Sequence, residues 1–428
     1  MSQQRSVKIV NGELFDPSGQ LAGVQSLLLR DGVIAAVGAE ADAAAADQVL
    51  DAAGHWVAPG FIDLNCNLRE PGNGQKGSIA SETQAAARGG FTTVCAAPET
   101  APVNDSGAVT SLILDIAAQQ SPIRVLPLGA ATRGLEGELL SDMAGLMGAG
   151  CVALSNGQSA MGNARILRRC MAYAKTFDIT LILQPENAAL AADGFAHDGL
   201  VAARLGLLGI PEVAETTAVM EMLLLAEETG VRLHLAQLSS ARSVDMVAAA
   251  RQRGVAVTAD VAMHQLVFTE DALAGFDSTF HVRPPLRTEA DRQRLLAGVR
   301  DGTIDAIVSQ HQPHDPAAKH APLGATAAGM ATLEVLLPMG LRLVQAGELT
   351  LAALLRALTQ GPAHVLALAS GRLAAGAPAD LCILALAQSW RADSDTLVSA
   401  GANNPWQGRE LQGRVVATLM NGQLVYQG

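Results

Sequence analysis

Charge is scarce in this chain. Asp, Glu, Lys and Arg make up 16% of the 428 residues, against 49% hydrophobic, and aromatics reach only 3%. A water-soluble monomer would carry an unusually thin charged coat, so part of the surface is expected to lie against other subunits. Basic residues form no run and the net charge is −12, which leaves no electrostatic footprint for nucleic acid or an anionic membrane as partner. No apolar run reaches the roughly twenty residues of a membrane span. The N-terminal MSQQRSVKIVNG alternates like a strand instead of forming the apolar core of a secretory signal. Cysteine is limited to Cys66, Cys95, Cys151, Cys170 and Cys382, an odd number with no C-x-x-C pair. That composition speaks against a disulfide framework and for a reducing, cytoplasmic location.

The length admits one barrel with an appended module. Short strands are expected in VKIVNGELFDPSG, VQSLLLRDGVIAAVG and QVLDAAGHWVAPG at one end, and in ADLCILAL and GRVVATLMNGQLVYQG at the other, where Asn421-Gly422 is a hairpin signal. Between them, apolar runs such as TTVCAAP, RVLPLGA, CVALSNG, TLILQPE and DAIVSQH alternate with helical segments such as SVDMVAAARQRG. Repeated strand-helix units with near-continuous apolar strands predict an α/β fold, a (β/α)8 TIM barrel over 58–368. The flanks, 1–57 and 369–428, are too short to fold alone and are expected to pair into one small β-sandwich. Functional side chains of such a barrel sit at the strand ends and the loops after them.

One of those ends reads FIDLNCNLREPG, residues 61–72. With GGFTTV at 89–94, RLGLLGIPEVAE at 204–215, RPPLR at 283–287, DGTIDAIVSQHQPH at 301–314 and GRVVATLMNGQLVY at 413–426, it resembles the successive landmarks of bacterial dihydroorotase, in family order over nearly the whole chain. The resemblance implies the amidohydrolase type of barrel. In active members it also implies zinc-assisted cyclisation of carbamoyl-aspartate to dihydroorotate.

The same resemblance places the family's metal ligands on particular residues here. Its two histidines after the first strand fall on Asn65 and Asn67, and its bridging aspartate on Asn156. Its later histidines fall on Gln184 and Gln237, and its ligand and proton-accepting aspartate on Gln310. All six positions carry amides. A carboxamide offers zinc a weak carbonyl donor and a nitrogen with no usable lone pair. It also does not titrate in the range a proton relay needs. No metal and no cofactor is therefore expected. Asparagine and glutamine can hydrogen-bond one another, which would keep the barrel mouth filled. A carboxylated lysine bridge is not expected either, because none of Lys8, Lys76, Lys175 and Lys319 ends a candidate barrel strand.

Substrate positions implied by the resemblance are altered as well. Glu99 brings a negative charge where a dianionic ligand would sit, and Arg283 replaces an asparagine. Arg69, the family's carboxylate grip, remains, and is read first as a salt bridge to Glu70, Glu99 or another acid at the mouth. His311, His314, His234 and His264 are read as structural residues and not as a relocated metal site, since no paired carboxylate is identifiable. Cys66 is expected to point away from its two asparagine neighbours as a buried thiol.

Three readings follow. The first is a non-catalytic dihydroorotase homologue; inactive chains of that kind assemble with aspartate carbamoyltransferase in pyrimidine biosynthesis, so the resemblance implies a structural subunit, a homodimer within a large hetero-oligomer. The others are a sensor of dihydroorotate or carbamoyl-aspartate, and a hydrolase with a relocated site.

Overall fold

The structure, a computed structural model, describes residues 6–17, 19 and 21–428. Five strands open the chain: β1 (Val7–Phe15), β2 (Ala22–Arg30), β3 (Val33–Val37), β4 (Gln48–Asp51) and β5 (Trp56–Pro59). Barrel strands follow: β6 (Phe61–Cys66), β7 (Phe91–Ala96), β8 (Arg124–Ala130), β9 (Ala153–Ser155) and β10 (Thr180–Leu183). A short parallel pair, β11 (Ala196–His197) and β12 (Gly209–Ile210), interrupts them before β13 (Arg232–Leu235), β14 (Val257–Ala262) and β15 (Ala306–Val308). The chain ends in β16 (Leu381–Arg391), β17 (Glu410–Met420) and β18 (Gln423–Gln427).

Eight strands form one parallel sheet in the order β15-β14-β13-β10-β9-β8-β7-β6, and the ends of that path meet. Asn67 N–H donates to His311 O at 2.9 Å, and the Asp63 carboxylate on β6 accepts the Ser309 N–H at 3.0 Å and its hydroxyl just after β15. The strands are apolar on both faces, as a sheet covered on both sides requires. Leu64, Cys95, Leu128, Ala153, Ile182 and Val308, from six different strands, meet in one buried cluster that fills the interior. Their other faces join the larger core under the helices. The barrel expected from the sequence is thus present.

The terminal strands make a second sheet, β18-β17-β16-β5-β1-β2-β3, with β4 added on β1. Its own core includes Ile9, Leu14, Leu27, Val57, Leu381 and Leu419, drawn from both ends of the chain. The β17–β18 connection is the two-residue turn Asn421-Gly422, with φ of 49° and 73°, the left-handed pair a type I′ hairpin needs. Between β5 and β6 the chain passes from module to barrel at Gly60, where a Cβ would meet Thr92 Cγ2 at 2.2 Å. The boundary placed at 57/58 from sequence falls inside β5, and residues 1–5, 18 and 20 of the N-terminal flank lie outside the described residues. No described helix is long and apolar enough to cross a membrane.

Candidate functional site at the barrel mouth

The six amides stand together at one rim because each follows, or ends, a barrel strand. Asn65 is the last residue but one of β6 and Asn67 follows the strand; Asn156 follows β9, Gln184 follows β10, and Gln237 and Gln310 lie two residues beyond β13 and β15. Asn65 is half-buried and the other five are buried. Gln237 and Gln310 hold φ of 58° and 48°, the sparsely populated left-handed region, as does Arg69 at 64°. Strained exits of this kind concentrate at functional rims.

Only one pair of amides bonds to each other. Gln310 Nε2 donates to Gln237 Oε1 and, at 2.7 Å, to Arg283 O. Asn156 instead accepts the Thr132 hydroxyl at 2.7 Å and donates to Ser159 O at 3.1 Å, while Asn67 Oδ1 accepts the Arg69 N–H at 3.1 Å. Gln184 Oε1 and Gln310 Oε1 are buried without a protein partner. The mutual amide network expected from the sequence is thus reduced to Gln237–Gln310, because the Thr132 hydroxyl, Ser159 O and the Arg69 N–H take up the bonds of Asn156 and Asn67. A zinc ion does not fit this donor set. The oxygen Gln237 would offer is already taken by an N–H, and among the described residues no group of three or more His, Cys, Asp or Glu side chains could hold a metal ion.

The contacts of Arg69 correct the expected salt bridge. Its Nε donates to Pro313 O at 2.9 Å and its guanidinium lies 3.3 Å from His314 Nε2, while no carboxylate among the described residues is within ion-pair distance. Glu70 is engaged elsewhere, accepting the Ile79 N–H at 2.9 Å at the start of the helix Ile79–Arg88. Glu99 accepts the Gln158 N–H at 2.9 Å, its Oε2 has no partner, and burial pushes its carboxyl up. Arg283 does form an ion pair, with Glu186: Nε to Oε2 is 2.9 Å, with a second bond from its terminal nitrogen. That pair ties the loop after β10 to the loop carrying Arg283, across the same rim.

Two histidines turn out to have paired carboxylates, contrary to expectation. His234 Nε2 is 2.8 Å from Asp260 Oδ2, and His311 Nε2 is 2.7 Å from Glu82 Oε2, all four side chains fully buried. Among the described residues, neither pair has a third ligand-type side chain to complete a metal site. The partners lie 26 and 229 residues away in sequence, so spacing gave no sign of them. His264 is wholly buried with both ring nitrogens unpartnered, and burial pulls it down to about 3. Burial likewise pulls His314 down to about 4, with Arg69 beside it adding to the effect. Cys66 sits in the apolar core away from the mouth, where burial first and Asp63 second push its thiol well up.

Asp63 was overlooked although it lies in the opening motif. Burial raises its carboxyl to about 7, against the Ser309 hydrogen bonds that lower it. Its position two residues before Asn65 was the available signal.

Comparison with known proteins decides the family. A protein of Pseudomonas aeruginosa named "Dihydroorotase-like protein" is 47% identical over 423 residues, covering 99% of this chain and 100% of that one. The chain belongs to the dihydroorotase-like family. A family model described as "Dihydro-orotase-like" matches residues 54–243. A "Dihydroorotase" of Anaeromyxobacter dehalogenans is 42% identical, covering 98% of this chain and 97% of the other. In fold, the L-hydantoinase (dihydropyrimidinase) of Arthrobacter aurescens superposes with a TM-score of 0.89 at 24% identity, over 99% of this chain and 96% of that structure. This chain presents a rim of neutral amides braced by the Arg283–Glu186 pair, a surface that can donate and accept hydrogen bonds, and among the described residues no group of three or more His, Cys, Asp or Glu could hold a metal ion.

Proposed function

We propose that this chain is a non-catalytic member of the dihydroorotase-like family that acts in the cytoplasm as a structural and assembly subunit of aspartate carbamoyltransferase in pyrimidine biosynthesis. The observation that carries the first half is the Gln310 Nε2 bond to Gln237 Oε1 at the centre of an all-amide rim. With no metal to lower the pKa of a water or polarise a carbonyl, and no titrating group at residue 310 to move a proton, neither half of the cyclisation has an agent.

Retention of a full barrel core without this chemistry favours a role exercised through the surface. The thin charged coat points the same way, as do exposed Leu139, Leu200, Leu208 and Leu224. Relatives in Pseudomonas aeruginosa and Pseudomonas putida carry the name "Dihydroorotase-like protein" where others carry "Dihydroorotase". In the assembly proposed, dimers of this chain link carbamoyltransferase trimers, since closed point-group symmetry leaves no open ends. The test is co-expression with the aspartate carbamoyltransferase of the same source, followed by size-exclusion chromatography and assay. A large complex with activity above that of the lone carbamoyltransferase is expected. Separate elution with unchanged activity refutes the assembly role.

A sensor of dihydroorotate or carbamoyl-aspartate is the second reading. It is favoured by the buried Arg69 and by the unpartnered oxygens of Gln184 and Gln310.

A further inference from the structure

A cleft of about 480 Å³ opens where the β module meets the barrel, a size that suits a small ligand. The helix Ile79–Arg88 supplies Gln84 and Arg88, one turn apart and so on one face. The helix Gly107–Gln120 supplies its last residues, Gln119 and Gln120. An apolar wall comes from Val425 and Tyr426 on β18 and from Val398 in the loop between β16 and β17. Both helices end here just before β7 and β8 begin, so the cleft lies at the opposite end of the barrel from the amide rim. Arg88 is the feature that asks for a ligand. Its side chain is only 20% exposed, yet it makes no hydrogen bond to any described residue. Its ionic contact is Nε at 3.8 Å from Glu334 Oε1, near the limit of an ion pair. The Glu334 oxygens are spent on backbone, accepting the Val398 N–H at 2.9 and 3.1 Å and the Ser399 N–H at 3.1 Å. The Tyr426 ring centre lies 5.8 Å from Arg88 Cζ, a contact that uses no donor. A guanidinium carries five N–H donors in a planar fork, so Arg88 holds an unfilled fork at the edge of a cavity.

We propose that this cleft binds a small monocarboxylate with an apolar body, the carboxylate held in the Arg88 fork and the body laid against Val398, Val425 and Tyr426. Fork geometry matches a carboxylate through two parallel N–H···O bonds. Charge limits the ligand to one negative group. Among the described residues lining the cleft, Arg88 alone is charged. The helix Gly107–Gln120 brings its C-terminal end to the same cleft with no basic residue in its last turn. Such an end acts as about half a negative charge. A dianion would therefore be left under-compensated, and a neutral molecule would leave the buried guanidinium without a counter-charge. The apolar wall selects the rest of the molecule, since Val398 is 39% exposed beside the half-buried Val425 and Tyr426. The inference stands independently of the carbamoyltransferase reading and of any ligand at the amide rim.

The test is a ligand-observed NMR titration of the full-length chain with 3-phenylpropionate as probe. Saturable binding of one probe per chain, with a millimolar or tighter Kd, is expected. 3-Phenylpropionamide, which lacks the charge, and inorganic phosphate above neutral pH, which carries too much, should each bind at least about tenfold more weakly. Gln84→Glu sets a carboxylate one helical turn before Arg88, where it takes the guanidinium in place of the ligand. Residue 84 is exposed, so this variant should keep the wild-type circular dichroism and melting temperature while losing the probe. Arg88→Gln should lose the probe as well, and the retained fold of Gln84→Glu separates that loss from any destabilisation. A chain that shows no saturable binding at tens of millimolar probe overturns the proposal. Equal affinity for the amide or for phosphate also overturns it, as does a Gln84→Glu chain that binds the probe like wild type.

Discussion

His311 Nε2 lies 2.7 Å from Glu82 Oε2 while His311 Nδ1 accepts the Thr332 N–H at 3.1 Å. The accepting Nδ1 places the imidazole proton on Nε2, aimed at the carboxylate. Glu82 also receives the Ser399 hydroxyl at 2.6 Å and the Ala400 N–H at 3.1 Å. One carboxylate thus joins a barrel helix, the last barrel strand's exit and the loop between β16 and β17. Burial raises the Glu82 carboxyl, but the bonds from His311, Ser399 and Ser81 outweigh it and leave the pKa lowered. Glu82→Ala strands a buried imidazole and a hydroxyl, so urea unfolding should show a loss of about 3 kcal/mol. A change below about 1 kcal/mol would mean the junction does not depend on this pair.

Asp63 gives stability a particular pH dependence. Its ordinary value is 3.8, and burial lifts it to about 7 in the folded chain. Protonated Asp63 therefore favours the fold: the contribution is full below about pH 4 and is lost as pH rises through about 7, up to about 4 kcal/mol. Glu334, raised by burial to about 7, adds in the same direction. Asp63→Asn, which can still accept the Ser309 N–H, should flatten the fall in melting temperature between pH 5 and 8 without removing the Glu334 share. An unchanged slope in the variant would assign the dependence elsewhere.

Purified protein is expected to contain no stoichiometric zinc by elemental analysis. It should show no dihydroorotase activity in either direction, with or without added metal. Asn65→His/Asn67→His should not restore activity, since Asn156, Gln184, Gln237 and Gln310 still supply neither the second metal's ligands nor a base. One or two tightly bound zinc ions per chain would contradict this.

Ligand binding separates scaffold from sensor. A ligand at a hundred times its dissociation constant stabilises a fold by about 2.7 kcal/mol. Dihydroorotate and carbamoyl-aspartate should cause no such rise, because Glu99 opposes their charge and Arg69 is held by Pro313 O. A ligand-dependent increase in melting temperature that disappears in Arg69→Ala would establish the sensor.

The barrel, the two-ended β module and the amide rim were legible in the sequence because each rests on local signals: apolar strand runs, the Asn421-Gly422 turn, and residues placed just after strand ends. The pairings were not. Arg69 was expected to meet a carboxylate, yet its left-handed backbone and the backbone carbonyl of Pro313 decide its contacts. Glu82 reads as an ordinary polar residue in a helix, and only the fold brings it to His311 and Ser399. Asp260 and His234 belong to adjacent strands, and their pairing depends on a register in which His234 stands opposite Thr258.

The pairing of β5 with β16 sets a timetable for the nascent chain. Cys382 on β16 contacts Pro59 on β5 across 323 residues of sequence. At translation rates of about 5 to 20 residues per second, β5 emerges roughly 15 to 65 s before its neighbour exists. Through that interval the growing polypeptide carries an unpaired strand edge while the barrel assembles behind it, a natural point for chaperone capture or for mispairing between neighbouring ribosomes. A message truncated before codon 381 would make that waiting state permanent.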